Sequence, residues 1–331
     1  MSRDTSLTPD DAGSSSTVGS VGEFGLIARV TAGRTYPDTV LLGPGDDAAV
    51  VAAADGRVVV TTDMLVEGRH FRRDWSSPRD IGRKAIAQNG ADIAAMGARC
   101  TAFVVALSCP ADLTVADAED LNAGLWDEAS RAGAAVVGGD VTAGDHLVVS
   151  VTALGDLAGA SPIRRDGARP GDVLAVSGPT GASAAGYALL AASVQGHPDL
   201  RAAHRVPRPD YDAGPAAAAA GATAMCDVSD GLLADAAHLA AASGVLLAVE
   251  SARLPIPSLL RQAATELGVD VLDWALAGGE DHALLATFPD DDALPPGWTA
   301  VGRVGEVGDV GAGTVTVDGT EWTGARGWTS F

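Results

Sequence analysis

The sequence predicts a two-domain protein of the α/β or α+β class, and three observations support this. Strand-like apolar runs alternate with helix-like segments along most of the chain. The chain has 331 residues, and single domains usually have roughly 100–200. A polar stretch rich in Gly and Pro, 158–171, separates two alternating halves. We therefore predict a tail over 1–20, an N-terminal domain over 21–157 and a C-terminal domain over 158–331. Whether the sheets are parallel stays open.

The N-terminal half begins with a stretch, 1–20, that is rich in Ser, Thr, Asp and Gly, which predicts a disordered tail. Phe24, Ile27 and Val30 recur at helical spacing and predict a helix from near Glu23. Asp55-Gly56 lies between two apolar runs and is typical of a hairpin turn. The elements predicted next are a helix from Ser77-Pro78 to about Met96, a strand over 101–108, a helix over 114–132, and strands over 134–137 and 147–154.

The C-terminal half repeats this alternation. The predicted elements are strand 172–177, helix 181–194, a Pro-rich crossing at 204–210, a strand near 225, helix 231–243, strand 245–249, helix 257–267 and strand 282–288. Gly178-Pro179-Thr180-Gly181 joins the first of these strands to the first helix. Such a junction is a candidate anion site, because the free N–H groups of a helix N-terminus point out of it.

The composition excludes several classes of function. The net charge is −21, from 22 basic and 43 acidic side chains, which argues against binding to nucleic acid or to an anionic membrane surface. The three cysteines form no C-x-x-C pair and indicate neither a disulfide framework nor a zinc site. No apolar run reaches the roughly 18 residues of a membrane span, and the N-terminus lacks a secretory pattern. We therefore expect a cytoplasmic location.

Acidic residues follow an apolar run or a glycine turn at five places. The five segments are Gly43 to Asp47, Val58 to Asp63, Val136 to Asp140, Ala224 to Gly231 and Leu276 to Asp281. The end of a strand would hold a carboxylate in a fixed position, and Mg²⁺ prefers oxygen ligands. A plain turn explains any one segment. Their repetition favours a multi-metal site for phosphoryl transfer.

Other polar residues allow two interpretations each. Asn89 and Asp92 share a helix face among small residues, so Asp92 is either paired, bound to a cation or solvated. His70 is a structural histidine or a ligand contact. Arg164-Arg165 is a solvated pair or a phosphate clamp. The dipeptide Gly-Lys never occurs, so a standard P-loop is excluded, and the protein-kinase motifs are missing as well.

Taken together, the motifs resemble those of thiamine-monophosphate kinases. The segments that carry the resemblance are, in order, GEFGLIARV, GPGDDAAVV, TTDMLVEGRHF, NGADIAAMG, VVGGDVT, RRDGARPGDVLAVSG, CDVSDGL and AGGEDHALL. They run from about residue 22 to the C-terminal region. This family is similar in fold to the aminoimidazole ribonucleotide synthetase superfamily. The resemblance implies an N-terminal domain that forms a homodimer through its sheet, followed by a C-terminal α/β domain.

The resemblance also implies an activity and a set of site residues. The reaction would convert ATP and thiamine monophosphate to ADP and thiamine diphosphate, with several Mg²⁺ ions and with K⁺ as a further candidate cation. The implied Mg²⁺ ligands are Asp47, Thr61, Thr62, Asp63, Asp92, Asp140, Asp227 and Asp230. The implied ATP contacts are Gly139, Asp140, Arg165 and Ser229. The implied contacts to thiamine monophosphate are His70, Glu280 and Trp328.

This chain departs from the family pattern at three positions. Thr61 stands where serine is common, so a hydroxyl is retained. Arg164 precedes Arg165, which leaves open which of the two faces the nucleotide. His282 stands where tyrosine is common.

The implied chemistry is direct in-line transfer. The attacking phosphate oxygen is already anionic near neutral pH, so neither a covalent nucleophile nor a general base is expected. Two alternatives remain. One is another ATP-using enzyme of the superfamily, of the selenophosphate or aminoimidazole ribonucleotide synthetase type, although the former usually carries a cysteine near its N-terminus and the first cysteine here is Cys100. The other is a non-catalytic module that binds Mg²⁺ and nucleotide.

Overall fold

The N-terminal half forms a four-stranded sheet covered on one face by helices. The structure is a computed structural model that describes residues 17–42, 50–307, 311, 313–324 and 327. Its first elements are α1 (Val18–Thr31), β1 (Val40–Leu42), β2 (Val50–Val51), β3 (Val59–Val66), α2 (Pro78–Ala95), β4 (Arg99–Cys109), α3 (Val115–Arg131), β5 (Ala135–Ala143) and β6 (Val148–Asp156). The sheet has the order β3-β6-β4-β5. Only the β4–β5 pair is parallel within it.

The two faces of this sheet differ. Phe103, Val149 and Val151 point to the face covered by α2 and α3 and are fully buried. Val60, Met64 and Val104 point to the other face and are 63%, 54% and 37% exposed. Helix α2 begins with a capping box. The Ser77 hydroxyl accepts from the N–H of Asp80, and the Asp80 carboxylate accepts from the N–H of Ser77.

The C-terminal half forms a larger mixed sheet with helices on both sides. Its helices are α4 (Ala182–Ala191), α5 (Pro198–Arg205), α6 (Ala213–Ala219), α7 (Leu232–Ser243), α8 (Ser258–Leu267) and α9 (Val271–Ala277). Its strands are β7 (Val173–Val176), β8 (Ala224–Asp227), β9 (Leu246–Val249), β10 (Leu284–Phe288), β11 (Thr299–Gly305), β12 (Val315–Val317) and β13 (Thr320–Glu321). The order is β13-β12-β9-β11-β7-β10-β8. All pairs are antiparallel except β12–β9, so the α+β variant of the prediction holds.

The small residues of α2 let the two halves approach closely. A Cβ added to Gly214 in α6 would lie 1.8 Å from the carbonyl oxygen of Ala94, and one on Gly90 would lie 2.6 Å from the ring of Tyr211. The polar linker also binds both halves, because the N–H of Ile163 donates to Met96 O and that of Met225 donates to Arg164 O. The C-terminal end of α2 therefore lies at the boundary between the two domains.

Most predicted elements are present, with some corrections. The hairpin around Asp55-Gly56 is wrong, because β2 pairs with β1 while β3 pairs with β6 over its whole length. Helix α1 begins at Val18, before the predicted Glu23, since Thr17 caps it with a reciprocal bond from Ser20. The predicted tail falls largely on 1–16, outside the described residues. The domain boundary at 158 stays a prediction. No helix in the described ranges is long and apolar enough to cross a membrane.

Candidate active site

An acidic cluster lies where β3 faces the C-terminal half of α2. Side chains alternate along a strand, so Thr61 and Asp63 point toward α2. The Thr61 hydroxyl donates to Asp92 Oδ2 at 2.8 Å. The N–H of Asp63 donates to Asn89 Oδ1 at 3.0 Å, and Asn89 is fully buried. The predicted shared face of Asn89 and Asp92 is confirmed, and its role is to hold both polar groups of β3 in place.

A third carboxylate, Asp227, reaches this cluster from β8 of the other domain. Asp227 is 4% exposed and ends its strand. Burial, followed by the charge of Asp227, raises the pKa of Asp92 to about 7. Burial likewise raises the pKa of Asp63, with Asp227 adding to the shift and His282 opposing it. Asp227 therefore lies close enough to Asp63 and Asp92 to disfavour their charged forms.

The segment from Gly278 to His282 carries three polar side chains with different partners: Glu280 contacts Lys84, Asp281 contacts the start of α4, and His282 contacts Asp227. Glu280 and His282 have φ of +63° and +55°, which is unfavourable for side chains with a Cβ. Their N–H groups donate to Ser229 O at 2.7 Å and Val228 O at 2.9 Å. Because backbone conformations of this kind cost free energy and concentrate at functional sites, the segment is a marker of the site.

His282 is directed at the acidic cluster. Its Nδ1 lies 3.2 Å from Asp227 Oδ2, and both residues are buried. Burial alone would lower the pKa of His282, but the hydrogen bond and the charge of Asp227 outweigh it and raise the pKa. His282 is therefore the imidazole that the chain itself places against Asp227.

Two further carboxylates hold the backbone around the cluster. Asp281 accepts from the N–H groups of Gly181 and Ser183 at the start of α4. The predicted anion site at this helix N-terminus is therefore wrong, because the chain's own carboxylate occupies it. Asp235 accepts from the N–H groups of Asp230 and Gly231 at 3.0 and 3.1 Å. Burial, followed by the charge of Asp227, raises the pKa of Asp235 to about 7.

A second polar group between the domains is organised around Lys84 of α2, and we call this group and the acidic cluster the two ends of the interdomain cleft. Its ammonium lies 3.0 Å from Glu280 Oε1 and donates to the carbonyl oxygen of His70 at 2.8 Å. Burial raises the pKa of Glu280, but the charge and hydrogen bond of Lys84, together with His204 and His282, lower it overall. The Nδ1 of His70 accepts from the N–H of Val66 at 3.0 Å, so the neutral ring carries its proton on Nε2. Two predicted substrate residues thus share one buried cation.

Aromatic rings from both domains lie beside this end. Trp75 and Tyr187 meet edge to face at 5.7 Å between ring centroids, and both contact the ring of His204. Burial, followed by the positive charge of Lys84, lowers the pKa of His204 to about 4. The wall at this end is therefore aromatic and, at neutral pH, holds an uncharged imidazole.

A cavity of about 560 Å³ lies between the acidic cluster and the linker. Thr61, Asp92, Asp227 and both linker arginines, Arg164 and Arg165, line it. Arg164 forms an ion pair with Asp166. The ion pairs within the described ranges do not include Arg165, whose backbone carbonyl accepts from Ser243 Oγ at 2.7 Å.

Several predicted ligands do not lie in the cluster. Thr62 points to the opposite face of β3, where its hydroxyl donates to Val151 O. Gly139 and Asp140 lie within β5, at the far edge of the sheet from β3. Three interstrand steps of about 4.8 Å separate those edges by roughly 14 Å. Asp47 and Trp328 lie outside the described residues. Within the described ranges, no three Asp, Glu, His or Cys side chains form a ready-made metal site.

Among the acids of the five segments that the structure describes, Asp227 is the one that ends a strand. Asp63 and Asp140 lie inside β3 and β5, because both strands extend beyond their apolar runs. Sequence reasoning missed Lys84, Asp235 and the capping role of Asp281. A lysine in a mostly buried helix face is the one signal that could have identified Lys84.

The fold and the site define a class of protein, which the comparisons identify as AIR synthase related. Residues 45–157 match the family model described as AIR synthase related protein, N-terminal domain. Residues 169–318 match the model described as AIR synthase related protein, C-terminal domain. Solved structures of the hydrogenase maturation protein HypE, at 20% identity and a TM-score of 0.71, share this fold.

More specific relatives cover nearly the whole chain. Thiamine-monophosphate kinase from Mycobacterium tuberculosis is 55% identical over 96% of this chain and 94% of its own length. The enzyme of that name from Corynebacterium glutamicum is 44% identical over 98% and 97%. The structure "AaThiL complexed with AMPPCP and TMP" superposes with a TM-score of 0.77, at 34% identity over 94% of this chain and 97% of that one. The chain belongs to the thiamine-monophosphate kinase family.

Proposed function

We propose that this protein transfers the γ-phosphoryl group of ATP to thiamine monophosphate and releases ADP and thiamine diphosphate. The observation that carries the proposal is the cleft between the domains, with carboxylates at one end and the Lys84–Glu280–His70 group at the other. The relative crystallised with AMPPCP and TMP aligns over 94% of the chain that forms this cleft. Family membership supports the same reaction.

Mg²⁺ is the cation that we assign to the acidic end. Asp63, Asp92 and Asp227 would hold it, because they offer the hard oxygen donors that it prefers, and because the raised pKa values of Asp63 and Asp92 reflect burial and the nearby charge of Asp227. Bound Mg²⁺ would neutralise charge that develops on the phosphates. Asp47, Asp230 and the Thr61 hydroxyl are further proposed ligands. Asn89 and Asp235 would keep this set in place through the bonds to Asp63 N–H and Asp230 N–H.

We propose that the chain contributes to transfer by positioning. The phosphate acceptor needs no general base, because its oxygens are anionic near neutral pH. Holding the two phosphates in line is then the main contribution of the protein, together with the exclusion of water. His282 holds Asp227 through the 3.2 Å contact and is not needed to carry a proton to the acceptor.

The nucleotide would bind at the cavity beside the linker. Arg165 is the arginine that we assign to a phosphate, since Arg164 is engaged by Asp166. Ser229, beside the strained segment, is a further proposed contact. Thiamine monophosphate would bind at the other end, where His70 and Glu280 face the cleft, with Trp328 as a further proposed contact. A K⁺ ion and a cytoplasmic location remain predictions.

The exposed face of the N-terminal sheet supports the proposed homodimer. Exposed apolar side chains on this face, Val60, Met64 and Val104, need a partner surface. Asp140 lies on the same face, since it pairs with Ala106, two residues from Val104. We propose that Thr62, Gly139 and Asp140 join an active site only through this dimer, because they lie apart from the acidic cluster of their own chain.

An ADP-release assay separates the proposed reaction from its alternatives. The purified protein is given ATP and Mg²⁺ with thiamine monophosphate, with unphosphorylated thiamine, or with no acceptor. Turnover only with thiamine monophosphate, with thiamine diphosphate as the product, is the expected result. ADP release without any acceptor would favour a different phosphotransferase of the superfamily. Binding of ATP without turnover in all three mixtures would favour the non-catalytic module.

A further inference from the structure

Lys84 is the only lysine among the 331 residues, whereas the other 21 basic side chains are arginines. It is 1% exposed, although lysine is among the residue types that are rarely buried without a partner. The chain has therefore placed its one ammonium group in the interior, at the boundary between the domains.

The ammonium has acceptors from three separate segments. His70 O, at 2.8 Å, belongs to the loop after β3. His204 O, at 3.4 Å, belongs to α5 of the other domain. Glu280 Oε1, at 3.0 Å, belongs to the strained segment before β10. An ammonium has three N–H donors in a compact arrangement, so this geometry accounts for all of them. The planar guanidinium of arginine presents its donors in a flat fork and would not match it.

The same contacts connect the two residues that we assign to thiamine monophosphate. Glu280 is held by Lys84 on one carboxylate oxygen, while the other lies 3.4 Å from His204 Nδ1. His204 in turn lies 3.2 Å from Ser183 Oγ at the start of α4. His70 is held through its backbone carbonyl. One cation thus fixes a carboxylate of the C-terminal domain relative to an imidazole of the N-terminal domain.

We propose that Lys84 is a positioning residue that forms the acceptor end of the active site by holding Glu280 and His70 across the domain boundary. This inference rests on the proposed function, and it adds that recognition of thiamine monophosphate depends on a residue that does not touch it. Nucleotide binding lies at the other end of the cleft and does not depend on Lys84.

The test compares Lys84→Arg and Lys84→Met with the wild-type protein. KM for thiamine monophosphate should rise about 10- to 100-fold, the range for loss of a group that orients a ligand-binding residue. KM for ATP should stay within about twofold. Direct titration with thiamine monophosphate should show the same loss of affinity. Equal changes in both KM values, or no change in either, in a folded variant would overturn the proposal.

Arg83→Met is the matched control. Arg83 precedes Lys84 on α2 and also pairs with a buried carboxylate, that of Glu128, at 3.1 Å. That pair lies within the N-terminal domain, so the variant should lose thermal stability without separating the two KM values. A similar separation in Arg83→Met would mean that any damage to α2 produces it, and the special role of Lys84 would be disproved.

A double variant keeps the test informative if Lys84→Met fails to fold because it leaves Glu280 unpaired. Lys84→Met combined with Glu280→Gln removes that unpaired charge. Since Lys84 acts through Glu280, the double variant should have about the same KM for thiamine monophosphate as Glu280→Gln alone. A further rise of tenfold or more would show that Lys84 acts by another route. An inactive wild-type protein would instead contradict the proposed function itself.

Discussion

The two ends of the interdomain cleft hold their carboxylates in opposite ways. At the nucleotide end, Asp63 and Asp92 have raised pKa values because they are partly desolvated and lie near Asp227. At the acceptor end, the pKa of Glu280 is lowered despite its burial, because Lys84 acts together with His204 and His282. At the first end no buried lysine or arginine pairs with Asp63 or Asp92 among the described ion pairs, whereas at the second end Lys84 pairs directly with Glu280. We therefore expect the acidic end to need a bound cation, whereas Lys84 already supplies one at the acceptor end.

The largest effect is expected from Asp63→Asn, which breaks the acidic end. We expect kcat to fall by about 10²–10³-fold, as when one group that stabilises transition-state charge is removed. The variant should remain folded, and its Tm should not fall, because a destabilised carboxylate is replaced by a neutral amide. Steady-state kinetics at saturating Mg²⁺ and a thermal scan check this. The control is Asp127→Asn on the exposed side of α3, which should leave turnover unchanged. Near wild-type turnover of Asp63→Asn would show that Asp63 is not part of the active site.

A smaller and different effect is expected from Glu280→Gln. KM for thiamine monophosphate should rise about tenfold, which corresponds to about 1.4 kcal/mol, because the amide binds Lys84 less well and loses its orientation. The Mg²⁺ concentration for half-maximal rate should not change, since this end is neutralised by the chain. Kinetics at varied Mg²⁺ concentration test this comparison. A large shift in the Mg²⁺ concentration for half-maximal rate would show that Glu280 affects Mg²⁺ binding at the acidic end, and that the two ends are not independent.

The dependence of stability on pH should also distinguish the ends. The pKa of Asp92 is about 7 in the folded protein and about 3.9 in an unfolded chain. The folded state therefore holds more protons between these values, so stability is highest at low pH and is lost as pH rises toward 7. One such group changes the unfolding free energy by about 2 kcal/mol between pH 5.5 and pH 8.

Denaturant titrations with and without Mg²⁺ measure this change. Bound Mg²⁺ favours the charged carboxylate, so it should flatten the pH dependence, and Asp92→Asn should flatten it without Mg²⁺. Glu280→Gln should leave it intact. An unchanged profile in Asp92→Asn would show that Asp92 is ionised in the folded protein at neutral pH.

The exposed face of the N-terminal sheet allows a further prediction. Val104→Asp should convert the proposed dimer to a monomer, because a carboxylate would be buried in an apolar interface. Light scattering during gel filtration measures the mass. Val269→Asp is the control, since Val269 is similarly exposed, at 41%, in the other domain. A wild-type protein that is monomeric would disprove the dimer and with it the proposed role of Asp140.

The sequence predicted the helices and strands well where a single local signal decides them. Ser77-Pro78 predicted the start of α2, and the predicted end near Met96 agrees with the observed C-cap at that residue. The Asp55-Gly56 hairpin failed because strand pairing is decided by partners far along the chain, and β3 finds all eight of its partners in β6. The same limit applies to the site, since the contacts of Lys84 join residues up to 196 positions apart. No local pattern contains that information.

The smallest effect is expected from an exposed ion pair. It tests whether burial, and not the distance between the charges, decides how much an ion pair contributes. Arg253 and Glu250 lie 2.7 Å apart with about half of each side chain exposed, whereas Lys84 and Glu280 are 3.0 Å apart with Lys84 fully buried. Water screens the exposed pair, so Arg253→Ala should change the unfolding free energy by no more than about 0.5 kcal/mol and leave both KM values unchanged. Denaturant titration and kinetics measure both. Since the shorter pair should matter less, an effect of Arg253→Ala as large as that of Lys84→Met would mean that burial is not what makes Lys84 important.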